Sequence, residues 1–138
     1  MAAATVRVLI ADDHSLFVDA LKALLETEPG IDVVATAPNG LEAVERAVEL
    51  EPEVVLMDVS MPVLDGFEAT RTIRERAPRT RVLFVTGSNA EEDLERAREV
   101  GATGYVSKDR IDAELVKAIR DAAAVGAAAA GASDGSLS

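Results

Sequence analysis

The stretch Glu53-Val54-Val55-Leu56-Met57-Asp58 constrains this chain more than any other. Apolar residues at successive positions, without polar alternation, suit a strand covered on both faces, as in a parallel sheet between helices. An Asp closing such a strand stands where open α/β sheets bind their ligands, in the crevice beyond the strand ends. Val59-Ser60-Met61-Pro62-Val63-Leu64-Asp65-Gly66 then reads as a loop, by its Pro and its Asp-Gly. Asp58 is therefore expected at the rim of a core, beside turning backbone amides.

The rest of the chain supplies such a sheet with partners. Val6-Arg7-Val8-Leu9-Ile10-Ala11 reads as a first, central strand that stops at Asp12-Asp13-His14. From Ser15 the apolar residues Leu16, Phe17, Ala20, Leu21, Leu24 and Leu25 fall at helical spacing. Ile31 to Ala35 is a second strand, and its Asp32 and short apolar run suggest an edge. Asn39-Gly40 opens a helix that Glu51-Pro52 stops. After the strand ending in Asp58, a helix is expected from about Gly66 to Ala77, then a strand Arg81 to Val85 ending in Thr86-Gly87. The next segment, Ala90 to about Val100, is mostly charged and offers only Leu94, Ala97 and Val100 for burial. It is expected to be among the less stable parts of the domain. Thr103 to Ser107 is a fifth strand ending at Lys108, and Ile111, Leu115, Ala118, Ile119 and Ala122 mark a last amphipathic helix. Strands alternating with helices predict a three-layer (βα)5 fold, doubly wound around a parallel five-stranded sheet of order 2-1-3-4-5. One domain is expected over 5–125, with 126–138, rich in Ala, Gly and Ser, as a flexible tail or the start of a linker.

Composition excludes several partners. The formal net charge is -11 over 138 residues, which argues against direct contact of this domain with nucleic acid or an anionic membrane. Cysteine is absent, so disulfides and thiolate metal sites are excluded and a cytoplasmic location fits. No apolar stretch approaches the ~20 residues that span a bilayer.

In a parallel sheet the strand ends converge, which would bring together Asp12, Asp13, Asp58, Thr86 and Lys108. Three clustered carboxylates repel one another unless a cation sits among them. With only oxygen ligands on offer that cation should be hard, and Mg²⁺ is the natural choice. Lys108, the Thr86 hydroxyl and the backbone amides of Val59, Ser60 and Gly87 would neutralise the oxygens of a phosphoryl group. Asp58 is then the nucleophile of an aspartyl phosphate. Taken singly, Asp58 reads as a strand-terminating cap, Asp12 or Asp13 as a helix cap, His14 as a helix-start residue and Tyr105 as partly buried packing. The arginines between Arg71 and Arg81 alternate with Glu68 and Glu75 and read as a solvated helix face.

Ala11-Asp12-Asp13-His14, Met57-Asp58-Val59-Ser60-Met61-Pro62 with Asp65-Gly66, Thr86-Gly87, and Gly101 to Lys108 together resemble a response-regulator receiver domain. Asp12-Asp13-His14 and Gly104-Tyr105-Val106-Ser107-Lys108-Asp109 are most similar to NarL-type receivers. The resemblance implies a CheY-like fold and Mg²⁺-dependent transfer from the phosphohistidine of a histidine kinase, or from a phosphotransfer protein, to Asp58. It implies that Asp13, Asp58 and the Ser60 carbonyl bind Mg²⁺ directly, with Asp12 acting through water. It makes Thr86 and Tyr105 a switch pair. The domain would be a phosphoacceptor rather than an enzyme for exogenous substrates, would switch its α4-β5-α5 side, and could dimerise on phosphorylation. Subgroup members join the receiver to a helix-turn-helix domain that regulates transcription; the other output is a stand-alone relay. Asp109 stands where many receivers have proline, which argues against a cis peptide after Lys108. Ser60 and Ser88 flank the line of water attack on the phosphoryl group. A small aspartyl-phosphate hydrolase is the competing class, disfavoured because Asp58-Val59-Ser60 lacks a second carboxylate two residues on. A nucleotide or flavin module is disfavoured because no Gly-rich phosphate loop follows the first strand.

Overall fold

The residues from Val54 to Met57 are at most 1% exposed, because the strand they form has a parallel neighbour on each side and a helical layer on each face. A computed structural model describes residues 5–87 and 91–125. The elements are β1 (Val6–Ala11), α1 (Ser15–Glu26), β2 (Ile31–Ala37), α2 (Gly40–Leu50), β3 (Val54–Met57), α3 (Gly66–Arg76), β4 (Arg81–Thr86), α4 (Glu91–Glu99) and β5 (Gly104–Ser107). The last helix, α5, runs over 116–125. It is entered through a 3-10 turn at Lys108–Arg110 and a π turn at Ile111–Leu115. The strands form one parallel sheet of order β2-β1-β3-β4-β5, as the strand and helix alternation predicts.

Alternate residues of the central strands serve the two faces. Leu9, Val55, Met57, Val82 and Phe84 pack under α2, α3 and α4. Val8, Ile10, Val54, Leu56, Leu83 and Val85 pack against α1 and α5. Each such side chain, fully buried, contributes roughly 1.5–3 kcal/mol. Among the described residues no helix is long and apolar enough to cross a membrane.

Local chemistry sets the helix boundaries. The Asn39 and Asp65 side chains accept hydrogen bonds from the Glu42 and Glu68 amides, both at 2.9 Å, caps worth about 1 kcal/mol each. Asp65-Gly66 is thus a helix cap as well as the end of a loop. The expected face of α1 holds at Leu21 and Leu25, with Phe17 and Leu24 packed against the same core, but not at its edges. Val18, Leu21 and Leu25 face the sheet, whereas Leu16 is 84% exposed and Ala20 lies outward. Leu16 is two residues from Val18, about 200° around the helix, so both cannot face the core, and the sheet selects the stripe carrying Val18. Of the expected core residues of the last helix, Ile119 and Ala122 are buried in α5 and Leu115 is buried at the end of the π turn before it, a turn with no counterpart in the apolar spacing. Within α4 only Ala97 is buried, which agrees with its thin apolar content. The expected start at Ala90, the position of Ser88 and the tail 126–138 lie outside the described residues.

Candidate functional site

Neighbouring strands bring the acidic residues together. Ala11 on β1 stands beside Met57 on β3, so the residues that follow them, Asp12 and Asp58, leave the sheet side by side. The Asp12 amide donates to the Ala37 carbonyl at 3.0 Å and the Asp58 amide to the Ala11 carbonyl at 2.9 Å. Both carboxylate residues are buried, each 4% exposed, while Asp13 and His14 reach solvent. The loop after Asp58 is drawn back tightly. The Gly66 amide donates to the Val59 carbonyl at 2.9 Å, and a Cβ at Gly66 would lie 2.1 Å from the Asp58 carbonyl oxygen. Only a glycine lets α3 start so close to the reactive strand end.

Two basic side chains meet these carboxylates. Lys108 Nζ lies 3.0 Å from Asp12 Oδ2 and 3.9 Å from Asp58 Oδ2, and rests 4.2 Å over the Phe17 ring of α1. His14 Nδ1 lies 2.9 Å from Asp12 Oδ1, 3.2 Å from Asp13 Oδ1 and 4.0 Å from Asp58 Oδ2. The hydrogen bond to Asp12, and then the charges of Asp12 and Asp13, hold the His14 ring above the ordinary imidazole pKa. Asp58 behaves in the opposite sense to a stabilised carboxylate. Burial, followed by the Asp12 charge, pushes its carboxyl up from its ordinary value, and Lys108, the Val59 amide and His14 offset this only in part. The site sets three carboxylates against one lysine and one histidine. Carboxylate oxygens of Asp12, Asp13 and Asp58 and the His14 ring offer donor atoms all within 4.8 Å of one another, which fits a divalent cation.

The other expected site residues take distinct places. The Val59 amide already donates to Asp58 Oδ1 at 2.9 Å, so Oδ2 is the oxygen turned toward Lys108 and His14. Ser60 lines an open cleft of about 570 Å³ with Asp13, Val59, Asp65 and Arg96. Thr86, buried at 4%, ends β4 beside Ser107. Gly87 faces open space. Tyr105 is half-buried and packs 6.3 Å from Phe84, its strand neighbour; Phe84 and Thr86 are two apart and so share a face of the sheet. No described peptide is cis, the one after Lys108 included.

Sequence reasoning missed the roles of His14, Phe17 and Arg96. His14 does precede α1, but its side chain makes no cap and turns to the carboxylates instead. Its adjacency to Asp12 and Asp13 was the signal available. Arg96 stacks 4.2 Å over Phe67, a contact across helices that no local pattern announces.

A model of the response regulator receiver domain matches residues 8–120. The chain is 41% identical over 114 residues to the transcriptional regulatory protein LnrK of Bacillus subtilis, covering 83% of this chain and 52% of that protein. It is 38% identical over 117 residues to the nitrate/nitrite response regulator protein NarL of Escherichia coli, covering 85% and 54%. The crystal structure of a LuxR-family two-component response regulator from Aurantimonas superposes with a TM-score of 0.84 at 38% identity, over 88% of this chain and 86% of that one. The chain spans about half the length of the curated relatives it matches.

Proposed function

This chain belongs to the response regulator receiver family of two-component systems, and on that premise we propose that it is a switch set by phosphorylation of Asp58. The observation that carries this is the placement of Asp58 Oδ2. It is buried, raised in basicity by burial and by Asp12, and faces Lys108 Nζ at 3.9 Å while the other oxygen is held by the Val59 amide. A carboxylate so poised is a nucleophile with a cation waiting for the oxygens of the incoming group.

In the proposed transfer, Oδ2 bonds to phosphorus as the bond from phosphorus to the donor histidine nitrogen breaks, and the electron pair returns to the imidazole. Lys108 then meets a phosphoryl oxygen, Thr86 donates its hydroxyl to another, and the Ser60 and Gly87 amides are placed for the rest. The Val59 amide joins them once it leaves Oδ1. Asp13, Asp58 and the Ser60 carbonyl would hold Mg²⁺, with Asp12 reaching it through water. Bound there, the ion supplies the positive charge that offsets the clustered carboxylates and the phosphoryl group. The domain catalyses only its own phosphorylation and dephosphorylation.

Movement of Thr86 toward the phosphoryl group frees space beside Phe84 for Tyr105 to turn inward. The change would be read on α4, β5 and α5, by a second copy of the chain or by an attached output domain. LnrK and NarL are named as a transcriptional regulator and a response regulator, and transcription regulation is the output proposed for this chain. The receiver occupies 5–125 on this reading, and the location is cytoplasmic. The test is transfer from a phosphohistidine donor with and without Mg²⁺. Labelling of wild type that needs Mg²⁺ and is lost in Asp58→Asn is expected; labelling indifferent to chelation contradicts the proposal.

A further inference from the structure

His14 is placed as a donor to any ion that the carboxylates hold. Its backbone amide donates to Asp12 Oδ1 at 2.9 Å, which fixes the turn and directs the ring back over the cluster rather than along α1. Two atoms bound to one octahedral ion at ~2.1 Å lie about 3.0 Å apart when adjacent and about 4.2 Å apart when opposite. The His14 Nδ1 separations from the oxygens of Asp13 and Asp58, the two carboxylates placed as direct ligands, are 3.2 and 4.0 Å, close to those limits. Three carboxylates alone suit a hard ion such as Mg²⁺; an imidazole nitrogen among them favours borderline ions of the later first-row series.

Resting on the metal reading above, we propose that His14 is a metal-selectivity residue: Nδ1 ligates borderline divalent cations such as Co²⁺, and biases the site toward them relative to Mg²⁺. When such an ion binds, it takes the place of the Nδ1 proton, which leaves to solvent. Mg²⁺, reluctant to exchange water for nitrogen, leaves the ring unused. Removing the ring should therefore weaken Co²⁺ binding and leave Mg²⁺ binding little changed.

The experiment titrates the metal-free 138-residue chain with Mg²⁺ and with Co²⁺ separately by calorimetry, and records the visible spectrum of the Co²⁺ form. Wild type, His14→Ala, His14→Asn and Asp13→Asn are compared. His14→Ala and His14→Asn are expected to weaken Co²⁺ by at least the ~10–100-fold that loss of even a supporting partner costs. Mg²⁺ affinity should hold, and the Co²⁺ bands should move toward those of all-oxygen coordination. Unchanged Co²⁺ affinity and spectrum in both His14 variants, or equal weakening of both ions, would overturn the inference alone, provided Asp13→Asn still abolishes Mg²⁺ binding. Wild type that binds neither ion would overturn the metal reading and this inference with it.

Discussion

Replacing Gly66 with alanine tests whether the reactive strand end is held by backbone packing. The new Cβ would lie 2.1 Å from the Asp58 carbonyl oxygen and 3.0 Å from Val59 Cα, against 3.4 Å or more in ordinary contact. Both obstacles are backbone, so no flexible side chain can swing aside, and α3 must back away by roughly 1.3 Å at its first turn. Forcing an extra methyl group into packed structure costs about 1–3 kcal/mol, and two backbone obstacles place this site in the upper part of that range, about 2–3 kcal/mol. Alanine offsets up to ~1 kcal/mol of this through its better helix propensity. A net loss of about 1–2 kcal/mol should lower the melting temperature by roughly 3–12 °C. Gly87→Ala is the control, since a Cβ there meets nothing within 4 Å; its stability should stay within about 0.5 kcal/mol of wild type. Thermal and urea unfolding followed by circular dichroism read both. The displaced Asp58 should also accept a phosphoryl group more slowly in Gly66→Ala. A Gly66→Ala variant as stable as wild type, or more so, would refute the close approach, because propensity alone predicts stabilisation.

Two further outcomes follow from the same geometry. Arg96→Ala removes the guanidinium lying 4.2 Å over Phe67, a contact worth ~0.5–1 kcal/mol at exposed sites; hydrogen exchange should quicken over 91–99 and stay unchanged over 66–76, and uniform quickening would mean that α4 is not a separate unit. Mg²⁺ at a hundredfold excess over its dissociation constant should stabilise wild type by about 2.7 kcal/mol, reversed by chelation and reduced in Asp13→Asn; a melting temperature indifferent to Mg²⁺ would contradict the proposed metal site.

The strands were legible because their apolar runs are local and unbroken. Val54 to Met57 can be buried on both faces only in a covered parallel sheet, and this fixed both the centre of the fold and the position of Asp58. Lys108 was legible for a related reason: a cation ending a strand needs a charge to meet, and Asp12 is 3.0 Å away. The centre of the α1 stripe was legible, but its edge was not, because Leu16 and Val18 are both apolar on opposite sides of the helix and only the sheet decides which is buried. The π turn at Ile111–Leu115 leaves no trace in apolar spacing. The expected amide of Val59 is present but engaged by Asp58 itself, a side-chain choice that sequence does not encode locally. His14 was assigned to the helix start by position, yet its ring turned toward the acids because charge within 4 Å outweighs a weak capping role.

The account rests on Asp58 as the acceptor, and direct localisation of the modification tests it best. The protein is incubated with a small acyl-phosphate donor and Mg²⁺, the acyl phosphate is trapped by reduction, and peptides are sequenced by mass spectrometry. One modified residue is predicted, Asp58, absent when Mg²⁺ is chelated and absent from Asp58→Asn. Modification confined to His14 or Asp13, or retained in Asp58→Asn, would contradict the account.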